Sequence, residues 1–186
     1  TEAYAMLFGA VGDKLRFTPI GEPDSWPQNF FLTYDAPITG IATVATGVLV
    51  FTKFKTHLVT GSGPTSLSTY PLSGDQGCLA FESVQRIGTE AVWVSTDGVC
   101  RSSGNRPTVL SRPFLNKIAI DAIDSVVYDE IYYVLSPDGT MLGFGDGIAK
   151  KFNFGNLTLN VSEDKLYGYK DGKLQQLFAG TGPATF

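Results

Sequence analysis

Gly88-Thr89-Glu90-Ala91-Val92-Trp93-Val94-Ser95-Thr96-Asp97-Gly98-Val99-Cys100-Arg101-Ser102-Ser103-Gly104 is the stretch that decides the fold. A short apolar run, Ala91 to Ser95, lies between a Gly-Thr-Glu connection and the turn Thr96-Asp97-Gly98. A second run, Val99 to Ser103, ends at Gly104. Two such runs separated by Asp-Gly read as a β-hairpin. The tight turn needs positive φ, which glycine adopts freely and aspartate tolerates.

Outward from this hairpin the same unit recurs. Before it, Ala45-Thr46-Gly47 leads into Val48 to Thr52, a polar turn Lys53-Phe54-Lys55, and Thr56 to Thr60, closing at Gly61. After it, Tyr128-Asp129-Glu130 leads into Ile131 to Ser136, the turn Pro137-Asp138-Gly139, and Thr140 to Phe144, closing at Gly145 or Gly147. A shorter copy follows, with Ser162-Glu163-Asp164, Lys165 to Tyr169, Lys170-Asp171-Gly172 and Lys173 to Phe178, closing at Gly180. The first copy is Ala5 to Gly9 and Lys14 to Thr18, turning at Gly12-Asp13 and ending near Gly21. Five hairpins thus close at residues 21, 61, 104, 147 and 180, spaced 40, 43, 43 and 33 apart.

Further strands are expected between the hairpins, at Phe30–Tyr34, Ile38–Val44, Leu79–Ile87, Thr108–Ser111, Ile118–Val127 and Leu157–Val161. No convincing helical stripe is present. Repeats of roughly 40 to 50 residues built from strands are the mark of β-propeller blades. The sequence therefore predicts an all-β, β-propeller-like array of about four to five antiparallel blades, forming one domain over residues 1–186. At roughly 43 residues per blade such a length leaves the ring incomplete or barely closed. The ten prolines, Pro71 among them, are read as lying in connections, where no ladder donor is lost.

Composition bounds the function. Hydrophobic residues make up 43% and charged residues 17%, below the usual share of about 25%, with 21 glycines, which excludes disorder. Fourteen basic against 18 acidic residues give a net charge of -4. The only basic pairs, Lys150-Lys151 and Lys53/Lys55, are no footprint for sequence-specific nucleic acid. Purely apolar runs stop at about six residues, far short of the roughly 20 that span a bilayer, so a soluble chain without a membrane partner is expected. Thr1 stands in place of an initiator methionine and no basic-then-apolar leader follows, so a processed chain and a piece of a longer one both stay open. Cys78 and Cys100 make no disulfide framework and are read as small buried hydrophobes in strands. With a single histidine, a metal site would need carboxylates.

The chemical constellations are weak. A Ser-His-Asp arrangement would have to use His57, and no Gly-x-Ser-x-Gly elbow exists. Ser95 to Gly98 and Ser136 to Gly139 resemble sialidase Asp-box turns, but here glycine directly follows aspartate. The arginines that such an enzyme would need, Arg16, Arg86, Arg101, Arg106 and Arg112, are few and read as solvated loop charges. Asp121 with Asp124, and Asp129 with Glu130, are carboxylate pairs whose separation sequence does not give. Asp146-Gly147 and Asp171-Gly172 lack the distal ligands of a calcium loop. Gly143-Phe144-Gly145-Asp146-Gly147 has no following helix to cradle phosphate. The expectation is no catalytic residue, no cofactor-binding residue, no metal ligand and no cofactor: not an enzyme.

One series of motifs goes further: Asp24-Ser25-Trp26-Pro27, Pro37 to Ile41, Gly47 to Lys53, Val59-Thr60-Gly61, Gln76-Gly77-Cys78 and Trp93 to Cys100. In this order, over residues 21 to 112, it resembles the blades of β-propeller virion proteins of short-tailed bacteriophages, of the tail hub, nozzle and DNA-stabilisation kind. The resemblance implies a structural component of the virion tail, forming part of a ring around the DNA channel and assembled in the host bacterial cytoplasm. Its implied partners are tail, portal or adaptor proteins and copies of itself, commonly six in such nozzles. Low charge and 23 aromatic residues suit a chain that buries surface in an assembly, and an acidic wall lets a duplex slide past. The alternative is a carbohydrate- or protein-binding propeller module used in receptor recognition, with aromatic residues and carboxylates converging on one face.

Overall fold

The computed structural model describes residues 2–113, 122, 124–145, 147–155 and 157–178. These residues form five antiparallel sheets, each a meander of strands consecutive in sequence. The first contains β1 (Glu2–Ala3), β2 (Met6–Val11), β3 (Lys14–Phe17) and β4 (Phe31–Thr33). The second contains β5 (Ile38–Val44), β6 (Gly47–Thr52), β7 (Thr56–Thr60) and β8 (Ser68–Ser73). The third has β9 (Gln85–Ile87), β10 (Glu90–Ser95), β11 (Gly98–Ser102) and β12 (Thr108–Val109). The fourth has β13 (Asp124–Tyr128), β14 (Ile131–Leu135), β15 (Thr140–Gly145) and β16 (Ile148–Asn153). The fifth has β17 (Thr158–Ser162), β18 (Lys165–Lys170) and β19 (Lys173–Gln176). Four of the five expected hairpins are the middle pair of a four-stranded sheet, and the fifth, β18 with β19, is the last pair of a sheet with three described strands.

The unbroken apolar runs follow from how the sheets stack. Side chains alternate across a strand, so a strand covered on both faces is apolar at every position. In β6, Val48 and Val50 pack toward the first sheet, while Leu49 and Phe51 pack toward the third. In β10, Ala91 and Trp93 face the second sheet, and Val92 and Val94 face the fourth. In β14, Tyr132 and Val134 face the third, and Ile131, Tyr133 and Leu135 face the fifth. Five sheets therefore enclose four separate cores, one per joint, rather than one common interior.

Neighbouring sheets meet at their first two strands, β2 against β5, β5 against β10, β9 against β13 and β13 against β17. Among the described residues no comparable packing joins the outer strands, so the sheets fan out as blades about an axis. Nor does comparable packing join the fifth sheet to the first among the described residues.

The structure corrects several boundaries. Leu79–Ile87 is not one strand. Residues Phe81–Ser83 form a 3-10 turn, and only Gln85–Ile87 pairs in the ladder. Hydrogen bonds to other elements hold that turn: the Ser83 hydroxyl accepts from Val94 N at 3.1 Å, and the Tyr132 hydroxyl donates to Ser83 O at 2.7 Å. Strands β1, β8 and β16 were not expected from the sequence. Pro71 lies inside β8, opposite His57, where a register shift and an outer-edge position spare the ladder a donor. Cys78 lies in the connection after the second sheet rather than in a strand. Residues 118–121 and 123 of the expected strand Ile118–Val127, and Gly180, lie outside the described residues.

The joint between the second and third blades shows why glycine recurs there. A Cβ on Gly77 would come within 2.3 Å of Thr52 O and 2.5 Å of Phe54 N, so only glycine lets this connection lie against the turn of the preceding hairpin.

Candidate functional site

Residues with chemical potential are placed apart from one another. His57 on β7 is half-buried against the Tyr34 ring, edge-on at 5.0 Å, and its buried Nε2 has no hydrogen-bond partner. Burial pushes its pKa below the usual value, opposed by Asp35 and assisted by Lys55. Asp35 is itself exposed and ion-paired with Lys55. Among the described residues no serine nucleophile is hydrogen-bonded to the imidazole.

Asp124 braces a blade joint: its carboxylate accepts from Ser125 N at 2.9 Å and from Leu159 N at 2.7 Å, tying the fourth sheet to the fifth. Its sequence partner Asp121 lies outside the described residues, as does Asp146. Asp129 and Glu130 occupy the tight turn between β13 and β14, both with positive φ (51° and 58°). Of the three Asp-Gly turns whose two residues are both described, Asp171-Gly172 has positive φ at both, while at Asp97-Gly98 and Asp138-Gly139 the glycine alone does. Gly143 sits within β15, where an added Cβ would meet the Tyr133 ring at 2.7 Å, so that glycine makes room for an aromatic residue.

Arg106 and Arg112 come together with Ser73, Asp75, Gln76 and Asp97 around a polar hollow between the second and third blades. There Arg112 and Asp97 approach to 3.6 Å. Arg101 is not part of it and pairs with Glu90 at 3.3 Å. The hollow thus balances two cations against two carboxylates. Cys78 and Cys100 are both free and buried, and burial pushes each thiol up to about 11. No group of three or more metal-ligating side chains exists among the described residues.

The aromatic residues divide in two. Trp93 and Phe51 fill the core between the second and third blades, rings 4.7 Å apart, with Trp93 Nε1 donating to Gln76 O at 3.2 Å. Trp26 is 41% exposed on the outer face of the first sheet, and its ring lies 3.5 Å from where a Cβ on Gly9 would stand. Arg16 donates to Pro27 O at 3.1 Å, pinning the same arm, and the Lys14 ammonium sits 4.6 Å from the Phe31 ring centre. The first sheet is in this way partly covered by its own Ser25-Trp26-Pro27 connection.

The fifth sheet has no such cover among the described residues. Leu166 and Leu177 are buried against the fourth blade, while Tyr169 and Leu174, paired across β18 and β19, are 53% and 64% exposed. With Thr158, Asn160, Ser162 and Tyr167 they line an open hollow of ≈ 690 Å³. The sequence carried a signal for this face. Lys165-Leu166-Tyr167-Gly168-Tyr169 alternates, whereas β6, β10 and β14 carry the unbroken apolar runs Val48–Phe51, Ala91–Val94 and Ile131–Leu135.

No known family pattern matches the chain, and no curated protein matches it. Solved structures do. The computationally designed Ika8 protein is similar over 95% of this chain and 56% of its own, at 14% identity and a TM-score of 0.65. BamB from Moraxella catarrhalis is similar over 87% of this chain and 51% of its own, at 14% identity and a TM-score of 0.58. The N-terminal domain of Nup159 follows, over 90% of this chain and 50% of its own, at 12% identity and a TM-score of 0.56. Such identities speak for the fold alone. The chain has a β-propeller-type fold, with five blades among the described residues, and spans about half the length of the solved chains it resembles.

Proposed function

We propose that this chain is a structural component of a short-tailed bacteriophage tail, of the hub or nozzle kind, acting through shape and subunit contacts rather than catalysis. The observation that carries the reading is where the motif series falls. Trp26 packs on the first sheet, Gly77 and Cys78 form the joint between the second and third blades, and Trp93 fills that joint. Cys78 and Trp93 are thus spent on packing blade against blade, Gly77 on the close connection between them, and Trp26 on covering the outer face of the first sheet. A net charge of -4 is compatible with a wall past which DNA slides.

The test is immunogold labelling of intact virions with antibody to this chain. Label at the tail is the outcome that supports the proposal, and its absence from purified particles would sink it. One observation favours the receptor-binding alternative: two tyrosines, Asn160 and Thr158 share an open hollow, a combination that suits a sugar ring. Binding on a glycan array that is lost in Tyr169→Ala would shift the reading to that module.

A further inference from the structure

Two blade connections carry an aspartate two residues past the outermost strand of their sheet, Asp35 after β4 and Asp75 after β8. Asp35 is ion-paired with Lys55. The Asp75 carboxylate has no partner among the described residues, and neither has the Arg106 guanidinium. Both line the polar hollow between the second and third blades, whose volume is ≈ 620 Å³. Arg112, on the same hollow, stands 3.6 Å from Asp97, beyond hydrogen-bond length, so the donors of its fork are unspent as well. The backbone beneath these charges is pinned. Asp75 O accepts from Thr96 Oγ1 at 3.0 Å, Gln76 O accepts from the Trp93 indole at 3.2 Å, and Asp97 N donates to Ser95 Oγ at 3.1 Å. On the facing wall Pro107 is buried, and Ser111, next to Arg112, accepts from Val99 N at 3.1 Å. Only the charged side chains are left for a ligand to order.

We propose that this hollow is a binding site for a ligand that carries a carboxylate and an ammonium group, the chemistry of an amino acid, free or within a short peptide. Unengaged guanidinium forks match the paired oxygens of a carboxylate or a phosphate. Asp75 and Asp97 beside them oppose a dianion, which favours the carboxylate. Asp75 in turn is an open acceptor for an ammonium group. Pro107, Val109 and Pro113 give the carbon skeleton an apolar wall, and the volume falls within the roughly 300–1,000 Å³ of small-ligand sites. The site lies at a blade joint whose packing does not use these charges, because Trp93, Phe51 and Cys78 fill the core beneath. This inference goes beyond the tail reading and stands or falls independently of it.

The experiment titrates the 186-residue chain with glycylglutamate, free glutamate, N-acetylglycylglutamate and inorganic phosphate, following amide chemical shifts by NMR. The expected result is saturable binding of glycylglutamate or glutamate with a Kd of about 1 mM or tighter, and shifts centred on Asp75, Gln76, Asp97 and Thr108. Acetylation of the amino group should weaken binding, as should Arg106→Gln and Asp75→Asn, each by roughly tenfold. Arg86→Gln, on β9 and outside the hollow, should leave it unchanged. Both hollow positions are exposed, so these variants keep the fold. Tighter binding of the dipeptide than of glutamate identifies a peptide as the source of the group, and the reverse order a free amino acid. No saturation by either up to about 10 mM, phosphate bound as tightly as either, or affinity unaltered by acetylation or by Arg106→Gln would each overturn the proposal. None of those results bears on whether the virion tail is labelled.

Discussion

Trp93→Ala is expected to be the most damaging single substitution among the aromatic positions. The side chain is 0% exposed, and a Trp→Ala change at such a site costs about 3–5 kcal/mol through lost transfer energy and the cavity left behind. The tilted Phe51 ring at 4.7 Å loses its partner, worth about 0.5–1.5 kcal/mol. Gln76 O loses the indole donor, adding about 1 kcal/mol. These overlap, so about 5 kcal/mol is the working figure, a large share of the roughly 5–15 kcal/mol by which domains are stable. Trp93→Phe keeps the ring contact and loses the N–H, so about 2 kcal/mol is expected. Trp26→Ala, at a side chain 41% exposed, should cost about 1 kcal/mol. Urea unfolding followed by far-UV circular dichroism measures all three. Because the cores are separate, amide exchange should accelerate first in β6, β7, β10 and β11 and last in β18. A Trp93→Ala cost below about 1.5 kcal/mol, or a loss of protection uniform across all five sheets, would refute the account of independent joints.

Asp124→Ala should lose about 1.5–3 kcal/mol in the same assay, because two backbone donors lose a charged acceptor, while Asp124→Asn should lose less. Replacing Asp129-Glu130 by Asn-Gly should raise stability by roughly 1 kcal/mol, read as a higher Tm, since both positions hold positive φ that these residues tolerate poorly. Burial lowers the pKa of His57 in the folded state, so the unfolded chain takes up the proton first. Stability is then full above the ordinary value of 6.5 and declines as pH falls through it, and His57→Phe should flatten that slope in denaturation curves taken between pH 7.5 and 5.5. Cys78 and Cys100, with thiols near 11, should resist a disulfide reagent at pH 8 until urea unfolds the chain; prompt reaction of either in the native protein would contradict their burial.

The hairpins were legible because they combine unbroken apolar runs with turn residues, and both signals are local. What escaped was the outer edge. Strand β8 is Ser68 to Ser73 with a proline inside it, and β16 includes Lys150 and Lys151. Neither has the composition of a strand, because an outermost strand needs no apolar pattern and is paired on one side only. The 3-10 turn at Phe81–Ser83 escaped for a different reason: beside its local bonds it is held by hydrogen bonds from Val94 and Tyr132, which lie on other strands. The open face of the fifth sheet was half visible, since β18 alternates where β14 does not, but only the stacking order gives that alternation a meaning. Of the carboxylates read as candidate pairs, Asp124 serves a joint and Asp129 and Glu130 a turn, roles that depend on partners a sequence does not show.

Strands clad in hydrocarbon on both sides raise a problem of alignment. In an ordinary half-buried strand, slipping by one residue throws the apolar set into water, and that cost enforces pairing. In β10 a slip would merely trade Val92 and Val94 with Ala91 and Trp93, so water is a poor policeman there. Shape and turn geometry must do the enforcing. An indole displaced into a slot cut for valine would overfill it. Gly98 leaves no slack either, since a Cβ at that place would stand 2.1 Å from the Ser111 hydroxyl. Register slip in these strands is therefore weakly opposed by polarity and strongly opposed by volume. Substitutions among Val, Ile and Leu at such strands should lead more often to mispaired chains than to weakly stable ones.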